Sequence, residues 1–488
     1  MHESVRKSSS LLLRSAACSA ACSAAVALLL ATVPAHAIDI ADAYRDALEN
    51  DPVLGAAEAS YEARKELIPQ ARANLLPKMS FNASTSWNER SFPVPPRLDF
   101  NPDSPTFGTI APVADQNFTD RQWQARLQQP VINLSGWFDW RSAKASVEGA
   151  EFNLANARQA LIVRVVQAYL NVLRAQDRLD ATLAREAAVN RQLEQVQQRF
   201  DVGLVAITDV LEAQAGYDST VVDRIQADGD RYIFFETLQA LIGESFESLD
   251  RISDNLPVVD PQPQNEEQWV QTALETNHNI AAARAQLEAA NRSIAARRSG
   301  HLPTVDGSIS RSYYYTGGAS FLANKINTTT YALSVNLPIY QGGFTNSRTK
   351  EARALAEQAR EELLNQQLTV SRDTRNLFQM VATDVVRVGA RMKAIASSES
   401  ALEATETGYE VGTRNIVDVL LAQQRLYSSQ FDYADSRYNY VIDLMRLQQT
   451  AGILEEMHLT ELNQYTDPAD TVTREASLRN RGMGSGSR

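Results

Sequence analysis

The sequence predicts a mainly α-helical chain with a membrane-spanning β part, built from one structural unit that occurs twice. Three observations support this fold class: an internal duplication, two very long helical segments without proline, and four segments in which apolar and polar residues alternate. Each copy has the same order of elements: a helix, two strands, a very long helix, a tight turn and another helix. This order is unusual for a water-soluble globular protein.

The duplication is clearest around the two tight turns. Phe200-Asp201-Val202-Gly203 and Thr208-Asp209-Val210-Leu211 return as Tyr409-Glu410-Val411-Gly412 and Val417-Asp418-Val419-Leu420. Leu76-Pro77 likewise returns as Leu302-Pro303. We therefore divide the chain into a first repeat at 38–255, a linker at 256–265 and a second repeat at 266–460.

The long helices are predicted at 136–199 and 343–409, where no proline occurs. At 1.5 Å per residue the first is a rod on the order of 95 Å long. Its apolar residues Ala143, Val147, Ala150 and Leu154 recur in steps of four and three, as in a coiled coil. After the turns, hairpin helices are predicted at 207–242 and 416–451. The shorter helices that open each repeat are predicted at 40–73 and 266–298.

The strands are predicted at about 78–90, 120–131, 304–315 and 328–340, with loops at 92–117 and 317–327 between the members of each pair. Tyr331, Leu333, Val335 and Leu337 form the clearest alternating run. Alternation over about ten residues with aromatic residues near the ends is typical of a transmembrane β-strand. A water-soluble antiparallel sheet with one wet face is the alternative interpretation.

Four strands are too few to close a barrel. A sheet in lipid must close on itself, because lipid satisfies no backbone hydrogen bonds at a free edge. If these four strands span a bilayer, several copies of the chain must share one barrel. Two copies supply eight strands, whose lumen is filled by side chains, and three supply twelve with room for a channel.

Composition and the N-terminal segment limit the possible functions. The net charge of -12 makes nucleic acid an improbable partner. Basic residues, an apolar stretch and Ala35-His36-Ala37 predict a signal peptide at 1–37, and both cysteines, Cys18 and Cys22, lie within it. Acylation of one of these cysteines is the less favoured alternative. The polar segment 461–488 is expected to be disordered.

Catalytic patterns are missing from the sequence. The five histidines are scattered, and no H-E-x-x-H, G-x-S-x-G or P-loop motif occurs. We therefore expect no enzyme activity, no cofactor and no metal site.

The chain resembles the TolC-like outer-membrane-factor family over about residues 38–460, through the segments 198–210, 409–420 and 437–440. The resemblance implies a homotrimer in which a shared twelve-stranded β-barrel in outer-membrane lipid continues as a long α-helical barrel in the periplasm. It also implies export of small molecules or proteins together with a periplasmic adaptor (a membrane fusion protein) and an inner-membrane ABC or RND-type transporter. The cargo, the particular adaptor and the particular pump stay open.

The resemblance also implies site residues at the turns. A polar latch that closes the periplasmic entrance maps onto Tyr409, Arg414, Thr208 and Asp209. Arg414 is a permanently charged donor that is able to bridge Asp209 and the Thr208 region, and the Tyr409 hydroxyl is a second donor to that carboxylate. The alternative is that Asp209 and Arg414 merely cap helix ends beside a turn.

Two further features are implied in the same region. The family's inward-facing carboxylate ring maps onto Asp418. Its second carboxylate ring maps onto Leu421, where this chain has an apolar side chain instead. Three copies of Leu421 would form an apolar collar, which puts block of the pore by multivalent cations in doubt. Adaptor contact is placed near Gly203 and Gly412. The competing functional hypothesis is a soluble periplasmic coiled-coil scaffold without a channel, since long rods alone do not require a membrane.

Overall fold

The structure is a computed structural model that describes residues 37–90, 97–105, 107–108, 110–111, 116–318 and 321–474. Its helices are α1 (Ile40–Asn50), α2 (Pro52–Lys65), α3 (Leu67–Ala73), α4 (Leu134–Asp201), α5 (Ile207–Ile242), α6 (Glu266–Thr276), α7 (His278–Arg298), α8 (Phe344–Glu410), α9 (Ile416–Thr450) and α10 (Glu456–Asn463). Its strands are β1 (Ala37–Ile38), β2 (Lys78–Arg90), β3 (Arg97–Leu98), β4 (Ile110–Ala111), β5 (Gln116–Ile132), β6 (Ser248–Ile252), β7 (Thr304–Gly318), β8 (Phe321–Asn336) and β9 (Thr466–Thr473).

The described residues form two compact units, and neither unit coincides with one sequence repeat. The first unit combines Arg158–Trp269 with the described residues up to Leu54 and from Thr374 onward. The second combines the described residues of Gly55–Ala157 and Val270–Asp373. Both repeats contribute to each unit, because α4 and α8 each contain residues of both.

The two long helices are confirmed, and each predicted end lies within two residues of the observed one. Helix α4 has 68 residues and α8 has 67. Neither contains proline, so no backbone hydrogen bond is lost along their length. Ala352, Ala356 and Ala359 of α8 recur in steps of four and three and are buried in the second unit. Small side chains at these positions allow a neighbouring helix to approach closely.

The shorter helices are interrupted where the prediction had them continuous. The predicted helix 40–73 is divided into α1, α2 and α3. Pro52 accounts for the first division, because proline favours the first turn of a new helix over the interior of an old one, and Pro69 likewise lies in the first turn of α3. Asp51 caps the new helix: its carboxylate accepts a hydrogen bond from the Leu54 amide at 2.8 Å and ion-pairs with Arg164 at 2.6 Å. Burial alone would raise the pKa of Asp51, but the hydrogen bonds from Arg164 and Leu54 outweigh burial, and the pKa is lowered.

The predicted strands form one antiparallel sheet in the second unit, in the order β2-β5-β7-β8. Phe81, Trp123 and Tyr313 stack across three neighbouring strands, with ring centroids 6.2 and 6.3 Å apart. Cross-strand aromatic pairs of this kind stabilise sheet register. The register shifts once between β5 and β7, at Pro130/Ile132, and once between β7 and β8, at Thr316/Gly318.

The second strand pair is longer, and displaced, relative to the prediction. The loop predicted at 317–327 is wrong for most of its length, because β7 runs to Gly318 and β8 begins at Phe321. Tyr315 pairs with Lys325 and Tyr313 with Asn327, so these polar residues belong to the ladder. The predicted end at 340 is also wrong: β8 ends at Asn336, close to Pro338, which has no N–H to donate to a ladder.

The predicted disorder of 461–488 is wrong for the part that the structure describes. Residues up to Asn463 complete α10, and β9 joins a small sheet of order β1-β6-β9. Val472 of β9 pairs with Leu249 of β6, and both are buried. This pairing joins residues far apart in sequence, so the local polar composition did not reveal it. Residues 475–488 lie outside the described residues, as do 1–36 of the predicted signal peptide; Ala37 belongs to β1.

Among the described residues, no helix has the length and apolar character needed to cross a membrane.

Gly229 within α5 and Gly243 directly after it allow a matched test of how the end of this helix is packed. Gly243 ends the helix at φ +81°, and a Cβ there would lie 2.5 Å from Cβ of Asn50, whereas a Cβ at Gly229 would meet nothing within 4 Å. We expect Gly243→Ala to lower the free energy of unfolding by more than about 1 kcal/mol. Gly229→Ala should raise it by about 0.5–1 kcal/mol. Denaturant unfolding in detergent, followed by circular dichroism, measures both, and a fully stable Gly243→Ala protein would contradict the assignment.

Candidate functional site at the helical turns

The two turns that connect α4 to α5 and α8 to α9 have the same geometry. Gly203 and Gly412 take φ of +80° and +79°, a region that favours glycine. The Gly203 amide donates to the Phe200 carbonyl at 2.8 Å, and the Gly412 amide donates to the Tyr409 carbonyl at 3.1 Å. Each turn thus satisfies carbonyls that the helix end leaves free. The sequence duplication therefore produces a structural duplication at these turns.

Apolar side chains at the turns are unusually exposed. Val202, Leu204 and Val411 retain 70%, 75% and 70% of their accessible surface. Packing within the described chain does not explain why these exposed positions carry apolar side chains. They form a candidate contact surface beside the two glycines, which we call the turn surface (Val202, Leu204 and Val411).

A small apolar cluster holds the helix ends together behind the turns. Val196 of α4, Val210 and Ala213 of α5, and Ile416 of α9 are buried in it, and the ring of Tyr409 packs against it. Burial of such side chains is favourable by about 1.5–3 kcal/mol each for the larger residues. The cluster brings the helices that carry the predicted latch residues into one neighbourhood.

Tyr409 lies at the centre of this neighbourhood with an unsatisfied hydroxyl. The oxygen is buried and has no hydrogen-bond partner in the described part of the chain. The Arg199 guanidinium lies over the ring, 5.0 Å from its centroid. Burial raises the pKa of Tyr409, the nearby Asp209 carboxylate adds to the rise, and Arg199 opposes it. The hydroxyl therefore keeps its proton near neutral pH and remains a potential donor.

Arg199 is a residue that the sequence reasoning missed. It stands immediately before Phe200 in the repeated segment, and its counterpart in the second repeat is Gly408. The cation–π contact with Tyr409 is worth about 0.5–1 kcal/mol at a partly exposed site. Because cation and ring lie far apart in sequence, only the fold brings them together.

Within one chain, the predicted latch residues have other neighbours than the latch requires, apart from Thr208 and Asp209. The Arg414 guanidinium lies 3.9 Å from the carboxylate of Asp418 and is largely exposed. The Thr208 hydroxyl lies 3.4 Å from the carboxylate of Asp209. The bridge from Arg414 to Asp209 stays a prediction, and an exposed arginine is free to adopt other rotamers at low cost.

Asp418 has a structural role at the start of α9. The Asn415 side chain accepts a hydrogen bond from the Asp418 amide at 2.9 Å, and the Asp418 carboxylate accepts one from the Asn415 amide at 3.4 Å. This reciprocal arrangement is a capping box. Leu421 lies about one turn further along and is 46% exposed. The constriction assigned to these two residues therefore stays a prediction.

A polar cavity of about 370 Å³ lies beside Tyr409 in the first unit. Its lining includes Gln192 and Gln423, which are buried and whose Nε2 and Oε1 atoms, respectively, have no hydrogen-bond partner in the described chain. Buried polar atoms normally find a partner, so ordered water is expected in this cavity. Among the described residues, no group of three or more His, Cys, Asp or Glu side chains is placed to hold a metal ion.

The unsatisfied hydroxyl of Tyr409 leads to a prediction about stability. Tyr409→Phe should leave the free energy of unfolding unchanged within about 0.5 kcal/mol, because no hydrogen bond within the chain is lost. Tyr169→Phe is the matched control, since that buried hydroxyl donates to the carbonyls of Asp250 at 2.7 Å and Ile38 at 3.1 Å. The control should lose about 1–3 kcal/mol. Equal losses in denaturant unfolding would mean that Tyr409 has a partner within the chain.

Comparison with known proteins agrees with this architecture. A sequence profile of the outer membrane efflux protein family matches residues 43–244 and 269–453, one segment in each repeat. The outer membrane protein TolC of Vibrio cholerae is 34% identical over 434 residues, which cover 87% of this chain and 93% of that protein. The alkaline protease secretion protein AprF of Pseudomonas aeruginosa is 26% identical over 436 residues, which cover 88% of each chain.

A solved structure shows the same fold. The CmeC outer membrane channel of Campylobacter jejuni superposes with a TM-score of 0.69 at 17% identity, covering 88% of this chain and 90% of that one. The comparisons place the protein in the outer membrane with a periplasmic extension, as an export channel and not an enzyme. They contradict the alternative of a soluble scaffold. The chain belongs to the outer membrane efflux protein family of TolC-like channels.

Proposed function

We propose that the chain assembles as a homotrimeric channel-tunnel that exports small molecules or proteins across the outer membrane. The observation that carries this proposal is the four-stranded sheet, whose end strands β2 and β8 each pair on one side only in the described chain. Lipid cannot satisfy their free edges, so edges of neighbouring copies must pair. Three copies supply twelve strands, which leave a lumen, whereas the lumen of an eight-stranded barrel is filled by side chains.

The side chains of the end strands support a membrane location for this sheet. Met79 and Phe81 of β2 are 78% and 64% exposed, and Tyr331 and Leu333 of β8 are 76% and 72% exposed. They alternate with polar or small residues, so the large apolar side chains of each strand lie on one face. Apolar side chains facing lipid and polar side chains facing a lumen explain this pattern.

Two features of the chain indicate its partner proteins: it has no nucleotide-binding motif, and its helical turns expose apolar side chains. The sequence has no nucleotide-binding motif, so energy for export must come from another protein. An inner-membrane ABC or RND-type transporter supplies it in this proposal, and a periplasmic adaptor docks on the turn surface beside Gly203 and Gly412. The exposed apolar side chains there suit a protein contact. A relative named for alkaline protease secretion supports proteins as one class of cargo.

The periplasmic entrance is closed by a polar latch in this proposal. The Tyr409 hydroxyl is a buried donor without a partner, and Asp209 is near enough to influence its pKa. Small rotations of helix ends in a closed trimer bring the hydroxyl and Arg414 onto Asp209 and Thr208, of the same copy or of the next. Contacts repeated by symmetry form a two-state latch that an adaptor can release.

Single-channel conductance in planar bilayers tests both the channel and its latch. Wild type should be nearly closed, and Arg414→Ala should raise the conductance several-fold because a charge-assisted contact is lost. Tyr409→Phe should act in the same direction. Arg360→Ala is the control, since Arg360 of α8 is, like Arg414, a largely exposed arginine, and it pairs locally with Glu357. Unchanged conductance in both latch variants would refute the latch, and no conductance in any protein would refute the channel.

The constriction of the pore is assigned to Asp418 and Leu421 on the first turns of α9. Three symmetric Asp418 carboxylates would favour cations, and three Leu421 side chains would form an apolar collar. The 35% exposure of the Asp418 side chain leaves its charge accessible despite its capping role.

An apolar collar at Leu421 leads to a prediction about how multivalent cations affect the channel current. Leu421→Asp should make the current sensitive to di- or trivalent cations added on the periplasmic side, because a second carboxylate ring then lies about one turn from the first. Leu421→Asn is the control, because it changes polarity without adding charge. If both variants respond alike, or neither responds, Leu421 does not face the ion path. Titration of the current with the cation measures the effect.

A further inference from the structure

The apolar face of the four-stranded sheet also carries basic side chains. Trp123 of β5 and Tyr313 of β7 mark this face, because their rings stack on each other with centroids 6.3 Å apart. Side chains alternate between the two faces of a strand, so residues two positions apart share a face. Arg121 lies two positions from Trp123, and Arg311 lies two positions from Tyr313. Both arginines therefore project from the apolar face.

Hydrogen bonds on the other face of the sheet support this orientation. The Asp120 carboxylate accepts hydrogen bonds from the side chains of Asn88 at 2.9 Å and Tyr314 at 3.0 Å. Asp120 directly precedes Arg121 in β5, so the two side chains point to opposite faces. The carboxylate thus has donors on its own face and does not neutralise the arginines on the other.

Arg121, Tyr315 and Lys325 form one row across β5, β7 and β8. Arg121 pairs in register with Tyr315, and Tyr315 pairs with Lys325. Neighbouring strands lie about 4.8 Å apart, so the two cations flank the tyrosine with their backbones about 10 Å apart. The Tyr315 side chain leans over Gly317, where an added Cβ would overlap its hydroxyl. Gly317 thus leaves room for a hydroxyl that can donate a hydrogen bond beside the two cations.

The basic residues of this face have no partner of opposite charge among the described residues. Arg121, Arg311 and Lys325 are exposed, and none of them forms an ion pair or a side-chain hydrogen bond in the described part of the chain. Among the described strand residues, the acidic side chain on this face is Glu89 of β2. It pairs with Asn117, four positions along β5 from Arg121, a separation of about 13 Å. The row therefore carries uncompensated positive charge.

The row lies where the sheet leaves the hydrocarbon on the outer side. Strand β5 ends directly before the long helix α4, so this end of the sheet is periplasmic and the other end faces the exterior. A transmembrane strand needs about 9–11 residues. Counted from Thr304 at the periplasmic end of β7, Tyr313 is the tenth residue, and Tyr315 lies just beyond it. Arg311 lies slightly deeper, but its side chain is long enough to reach the interface.

We propose that Arg121, Tyr315 and Lys325, together with Arg311, bind the phosphate groups of lipopolysaccharide, the anionic glycolipid of the outer leaflet. The proposal rests on the proposed function, in which the apolar face of the sheet meets lipid. Guanidinium and ammonium groups both bind phosphate, the first through paired hydrogen bonds and the second as a point charge. Cations on two strands suit a headgroup with more than one phosphate better than a headgroup with a single one.

Binding of lipopolysaccharide to the intact protein in detergent tests this assignment. The labelled protein is titrated with lipopolysaccharide in mixed micelles, and the apparent affinity is measured by thermophoresis. Arg121→Gln and Lys325→Gln each remove one charge. Each should weaken the affinity about fivefold, which is roughly the effect of one basic residue at an anionic lipid surface. Raising the salt concentration should reduce the difference from wild type, because salt screens exposed charges.

A control on the same strand makes the result specific. Arg126 is an exposed arginine of β5 on the opposite face, and Arg126→Gln should bind lipopolysaccharide as wild type does. Lipopolysaccharide without its lipid phosphates should bind wild type more weakly, and all variants equally. Phosphatidylglycerol, an anionic lipid with a single phosphate, should also bind wild type more weakly than lipopolysaccharide.

Each outcome of these titrations decides the proposal. Unchanged affinity in both Arg121→Gln and Lys325→Gln would overturn it, as would equal binding of the phosphate-free lipid or of phosphatidylglycerol. If one variant does not fold, the other gives the answer. Weaker binding in Arg126→Gln alone would mean that the polar face meets lipid, which also overturns the orientation assumed in the proposed function. Lipid binding is measured apart from current, so failure of this site is distinguishable from failure of the channel.

Discussion

The requirement that backbone hydrogen bonds be satisfied in lipid is the constraint on which the rest of this molecule depends. A soluble sheet can leave its edges in water, but a membrane-spanning sheet cannot. The four strands of this chain leave β2 and β8 with free edges in the described residues. In the proposed trimer these edges pair with strands of neighbouring copies. The neighbouring copies also provide surfaces against which the apolar positions of the long helices can pack.

The turns illustrate how one residue can serve the fold and a proposed function together. Asp418 completes a capping box with Asn415, yet its carboxylate stays accessible. Tyr409 packs its ring against the apolar cluster but leaves its hydroxyl without a partner. An unsatisfied buried donor costs free energy, so its presence is consistent with a second state in which it is satisfied.

Charge placement differs between the surface and the interior of the helical part. Along the exposed faces, arginines and carboxylates pair at spacings of three or four, which adds little stability but keeps the helices soluble. In a half-buried part of the first unit, Arg251 binds Asp177 and Asp180 of α4 and holds β6 against that helix. Burial raises the pKa of Asp177, and the hydrogen bond from Tyr438 and the charge of Arg251 oppose this rise.

Local patterns were enough to predict the duplication, both long helices, the glycine turns and the existence of the four strands, because each depends on apolar periodicity, absent proline or positive φ. The extent of β8, the ordered β9 and the contact of Arg199 with Tyr409 became visible only in the folded chain. These features join residues distant in sequence. Their free energy comes from pairing and burial that no local window contains.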